Sequence, residues 1–89
     1  MDAVLVETYN AMLKHRPFNS AHEGYAVILE EMDELWDVVK LNPKKIFAGT
    51  AAEQKGIHRK LMRSEAIQVA AMAIRFLMDV TPDKDGRLV

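Results

Sequence analysis

The sequence has no cysteine in its 89 residues, which removes disulfide staples, thiolate nucleophiles, iron–sulfur ligation and cysteine-based structural zinc. It also has no surplus of one charge. Twelve Lys and Arg stand scattered against 13 Asp and Glu, so no basic stripe exists to grip a nucleic-acid polymer, and none is expected as a partner. Long apolar runs are missing too. The richest stretch, residues 66–78, is broken by Gln68 and Arg75 and is too short to span a bilayer, and the acidic opening Met1-Asp2 lacks the form of a signal sequence. The expectation is a soluble, cytoplasmic protein with no membrane partner, and six methionines beside no cysteine suit that compartment. Strand alternation and internal repeats are absent. With only four glycines and three prolines, little interrupts the chain.

What is present is 49% hydrophobic residues at helical spacing. That fraction is enough to fold, but a domain this small buries only a modest share of its unfolded surface, so further burial by self-association is expected. A first helix is predicted over residues 3–15, ending before Pro17, which disfavours helical geometry in the residue preceding it. Ser20 with Glu23 forms a capping box, with Phe18 near the position of an apolar staple, and opens a second helix over residues 21–40. Tyr25, Ile28, Leu29, Met32, Leu35, Trp36 and Val39 recur at threes and fours and predict one continuous core stripe. Residues 41–49 contain Asn42-Pro43 and Gly49 and read as a connection with at most a short turn. Thr50 and Glu53 form a second capping box, opening a third helix that reaches Asp79, with Gly56 as a point of bending or breakage.

Between Ile67 and Met78 this third helix is apolar around its whole circumference, which requires neighbours on every side. The fold class that follows is all-α: an antiparallel bundle of about three helices per chain, completed by a homodimer or homotetramer. Residues 1–81 form a single domain, with residues 82–89 a flexible tail. Arg75 interrupts the apolar run and reads as a salt-bridge partner between subunits.

At about 100° per residue, Glu23, Glu30 and Glu34 share a narrow sector of the second helix, with Glu31 on its flank. Like charges so placed repel one another. Hard oxygen ligands gathered this way suit magnesium facing substrate phosphates, and they equally suit a solvated acidic face. Glu65 lies at the entrance to the apolar part of the third helix, where a carboxylate is costly unless paired or metal-bound, and Gln68 follows one turn later. No cation stands three or four residues from Glu65 on its own helix, which leaves a metal or a basic group from elsewhere.

Two segments, HEGYAVILEEMDELWDVVK (residues 22–40) and MRSEAIQVAAMAIRFL (residues 62–77), resemble the MazG-like branch of the all-alpha nucleoside triphosphate pyrophosphohydrolases. The family pattern is two adjacent glutamates, two variable residues and a third glutamate, then a later glutamate followed at the third position by aspartate. Glu30, Glu31, Glu34 and Glu65 match it. Gln68 departs from it, standing where the family has its fourth acidic group, and the thirty-residue gap between Glu34 and Glu65 is slightly long. The resemblance implies magnesium-dependent hydrolysis of a nucleoside triphosphate to monophosphate and pyrophosphate, with manganese a substitute ion. Glu31, Glu34 and Glu65 would ligate the metal, Glu30 would be a further ligand or position water, and Gln68 would be a neutral ligand. An amide oxygen still ligates a hard cation but brings no charge and no basicity. Two other classes remain: a non-catalytic relative that binds nucleotide or metal, and a structural helical module.

Lys55, Arg59 and Arg63, near the start of the third helix, are candidates for substrate phosphate, against a solvated basic surface. His22 reads as a capping or packing residue. Trp36 and Tyr25 read as core or subunit packing rather than as base-stacking platforms. Phe47, in the connection, fits a ligand contact and a cover for the bundle end equally well.

Overall fold

Each helix starts on a side-chain oxygen that takes up backbone donors at its first turn, as seen in a computed structural model describing residues 2–82. Asp2 Oδ1 accepts from Val4 N at 2.8 Å and Leu5 N at 3.4 Å and opens α1 (Ala3–Lys14). Ser20 Oγ accepts from Glu23 N at 3.1 Å and opens α2 (Ala21–Val39). Thr50 Oγ1 accepts from Glu53 N at 3.1 Å and opens α3 (Ala51–Asp79). In both predicted boxes the glutamate reaches one residue beyond the cap. Glu23 accepts from Asn19 N and Nδ2 at 3.2 and 3.0 Å, and Glu53 accepts from Gly49 N at 3.2 Å. The expected tail lies outside the described residues from residue 83 onward. Among the described residues there is no strand, and no helix is long and apolar enough to cross a membrane.

The connection from α2 to α3 holds a single 3-10 turn, Pro43–Lys45, with Asn42 Oδ1 accepting from Lys44 N at 3.0 Å. Gln54 Nε2 donates to Ile46 O at 2.9 Å and Lys44 O at 3.2 Å, and His58 Nε2 donates to Val38 O at 2.7 Å. These bonds fasten the connection and the last turn of α2 to the first two turns of α3. The helix therefore runs unbroken through Gly56, without the expected break. A glycine costs about 1 kcal/mol in a helix interior, which 29 residues of continuous hydrogen bonding absorb.

α3 is the central rod: α1 and α2 both pack on it and not on each other, giving an up-down-up three-helix bundle. The buried residues are few and mostly small. Ala11, Phe18, Ala71 and Met72 form the centre, with Val27, Ile28, Phe76 and Val80 packed around them. Arg75 is also buried, its guanidinium carbon 4.3 Å from the centre of the Phe18 ring. The expected salt bridge between subunits therefore gives way to a packing role inside its own chain.

α2 departs most from expectation. Of the predicted stripe only Ile28 and Leu35 are drawn in; Tyr25, Leu29, Met32, Trp36 and Val39 are exposed on the single chain, Trp36 at 59%. The half-buried and buried positions are Gly24, Val27, Ile28, Glu31, Leu35 and Val38. At about 100° per residue these form one arc, with the exposed apolar side chains about a quarter-turn to one side and Glu23, Glu30 and Glu34 about a quarter-turn to the other. The apolar arc is wider than α3 alone covers, so periodicity located the arc but not the half that α3 occupies.

Gly24 allows the close approach. A Cβ built there would lie 2.6 Å from Phe76 Cδ2 and 3.1 Å from Phe18 Cδ2, whereas one at Gly56 meets nothing within 4 Å. The same substitution should therefore act with opposite signs. Gly24→Ala is expected to destabilise by about 1–3 kcal/mol through overpacking, and Gly56→Ala to stabilise by up to about 1 kcal/mol through helix propensity. Urea unfolding of both variants measures the contrast, and equal signs would refute it.

Candidate metal centre

Glu31 and Glu34 lie three residues apart on α2, and Glu65 faces them from α3. Each offers a carboxylate oxygen within 4.8 Å of the others. Glu31 and Glu65 are half-buried and Glu34 is exposed, so the cluster opens to water on one side. Among the described residues no Lys or Arg pairs with any of them; the ion pair present is Lys40–Asp37 at 3.2 Å, elsewhere on α2. Among the described residues, no basic group from another helix meets Glu65.

The strain of this arrangement falls on Glu31. Burial pushes its carboxyl up from 4.5 to about 7, with the charge of Glu34, a hydrogen bond to Glu34, and the charges of Glu65 and Glu30 adding to the effect. Its Oε2 is shut off from solvent and has no hydrogen-bond partner. A buried carboxylate oxygen without a donor is expensive, and either a proton or a divalent cation would relieve it and the mutual repulsion. The donor set is oxygen only, which selects hard ions such as Mg²⁺ or Mn²⁺ over softer ones. These residues fit the expected metal.

Beside the cluster a cleft of about 490 Å³ runs between α1 and α2, where those helices fail to meet. Glu30, Glu31 and Gln68 line one part of it, Lys14, Arg16 and Arg75 supply its cations, and Glu7 and Glu23 line it as well. Its volume is that of a small-molecule site. Glu30 thus reaches the cleft next to Glu31, and Gln68 comes to the same wall. Lys55, Arg59 and Arg63 are exposed and do not line the cleft. Phe47 is fully exposed and covers nothing among the described residues.

Sequence reasoning missed the cleft's basic wall. The signal was available on α3: Glu65, Gln68, Met72 and Arg75 recur at threes and fours and so share one face. Comparison with protein-family models, with curated proteins and with solved structures finds no match to this chain. The functional reading therefore rests on the side chains themselves.

Proposed function

We propose that this chain is a magnesium-dependent nucleoside triphosphate pyrophosphohydrolase, releasing nucleoside monophosphate and pyrophosphate. The observation that carries the reading is the convergence of Glu31, Glu34 and Glu65 at the edge of a ligand-sized cleft, with one Glu31 oxygen buried and unpartnered. The bound ion supplies Lewis-acid charge neutralisation and a more acidic water. Glu31, Glu34 and Glu65 hold it, and Gln68 contributes an uncharged oxygen at the cleft wall. Glu30, exposed and on the same wall, orients the attacking water and accepts its proton. The water oxygen bonds to the α-phosphorus, the α–β phosphoanhydride bond breaks, and pyrophosphate carries away the electron pair.

Gln68 supports a second reading, in which metal and nucleotide bind without turnover, because one charge fewer weakens stabilisation of the developing phosphoryl charge. Pyrophosphate release from canonical and modified nucleoside triphosphates separates the two. The enzyme reading expects selective turnover that stops without Mg²⁺ and falls at least about 100-fold in Glu34→Gln. Metal-dependent nucleotide binding with no pyrophosphate would select the second reading.

The same proposal includes a second copy of the chain. The exposed row from Tyr25 to Val39 on α2 spans about 21 Å at 1.5 Å per residue, long enough for a helix-to-helix interface. Together with the thin core of the single chain, it supports a homodimer or homotetramer completed through that face.

A further inference from the structure

The carboxylates account for one part of the cleft only. On its basic wall, Arg75 is 4% exposed, no carboxylate pairs with it among the described residues, and its Nε has no hydrogen-bond partner. Its contacts are Nη2 to Arg16 O at 2.9 Å, Nη1 to Met72 Sδ at 3.3 Å, and the face of Phe18. Guanidinium does not give up its proton, and a buried charge with one carbonyl and a thioether for company is under-compensated. Asp79 Oδ2 accepts from Phe18 N at 3.0 Å and Glu23 accepts from Asn19, while Glu7, which also lines the cleft, forms no ion pair with Arg75. Lys14 and Arg16, both exposed, add two cations to the same cleft.

We propose that this wall is an anion subsite for the β- and γ-phosphates of a nucleoside triphosphate, with Arg75 donating to the pyrophosphate that leaves. Glu65 and Arg75 are ten residues apart on one face of α3, about 15 Å along the axis. A chain of phosphates starting at the carboxylates extends further along this face toward Arg75 than a lone phosphate can. The identity of the ligand rests on the pyrophosphohydrolase reading; the demand for an anion rests on the cleft alone.

The test is a proton–nitrogen NMR titration of the metal-free full chain with inorganic tripolyphosphate, observing the Arg75 Nε–H signal and the backbone amides of Arg16 and Phe18. Those signals should move, and Arg75→Met should weaken binding by about 10-fold or more, the loss expected for charge-assisted hydrogen bonds. Should Arg75→Met not fold, Lys14→Gln with Arg16→Gln, both at exposed positions, carries the test with a smaller loss. A nucleoside monophosphate should leave the Arg75 signal in place. The subsite is overturned if tripolyphosphate does not bind, if it binds the variants as tightly as the parent, or if it moves Arg59 and Arg63 instead. Tripolyphosphate binding in a protein that never releases pyrophosphate would keep the subsite and remove the enzyme. Turnover in Arg75→Met with unchanged preference for tri- over diphosphates would do the reverse.

Discussion

Glu31→Gln is expected to end turnover and, in the same protein, to raise the melting temperature of the metal-free form. The two effects share one cause. Glu31 is held among Glu34, Glu65 and Glu30 with one oxygen unpartnered, so its charge is useful only when a cation is there to meet it. Its carboxyl sits at about 7 in the folded chain against an ordinary 4.5, so between those values the folded state keeps a proton that the unfolded state has released. Stability then falls as pH rises through this window. The Glu31 contribution is complete below about pH 4.5 and lost above about pH 7. Glutamine cannot ionise, so the variant should lose that slope and melt a few degrees higher at pH 8 without metal. Because Mg²⁺ competes with the same proton, the parent should gain more from Mg²⁺ at pH 8 than at pH 6, and the variant should gain little at either. Turnover should drop at least about 100-fold. Thermal melts at pH 5, 6, 7 and 8, with and without Mg²⁺, provide the readout. A metal-free variant less stable than its parent at pH 8 would show that Glu31 serves the fold rather than a site.

Trp36→Glu is expected to dissociate the assembly while the single chain keeps its helices. Trp36 is 59% exposed and lies within the Tyr25, Leu29, Met32 and Val39 row, so in the isolated chain a charge there meets water. In a dimer built on that row it would be buried without a partner. Aromatic anchors at interface centres contribute about 2 kcal/mol or more each, so dissociation should be promoted at least about 30-fold. Sedimentation velocity across micromolar concentrations, with circular dichroism for helicity, makes the comparison. A parent protein that sediments as a compact monomer would end the proposal, whatever the variant does.

How much of this was legible beforehand follows from the range of each signal. Both capping boxes were readable because a cap is decided within four residues, and the structure shifts only the returning arm of each. The grouping of Glu31, Glu34 and Glu65 was readable from the family resemblance, whereas helical spacing alone put Glu23, Glu30 and Glu34 in one sector with Glu31 on its flank. The inward face of α2 was not, because its apolar residues cover more of the circumference than one neighbour can bury. Gly24 and Gly56 look alike in a sequence. One sits under the Phe76 ring and the other faces open space, and only tertiary contact distinguishes them. Arg75 was misplaced for a related reason: charge suggests a surface, and its burial depends on Phe18 folding back from an irregular segment.

The contact at Gly24 also acts as a gauge block. Gly24 and Glu31 are two turns apart on the face of α2 that meets α3, and Phe76 and Glu65 are their opposite numbers. A missing side chain at one end lets the two rods close, and that closure sets how near the carboxylates come at the other. The aperture of the candidate metal centre is thus calibrated by a residue that takes no part in its chemistry.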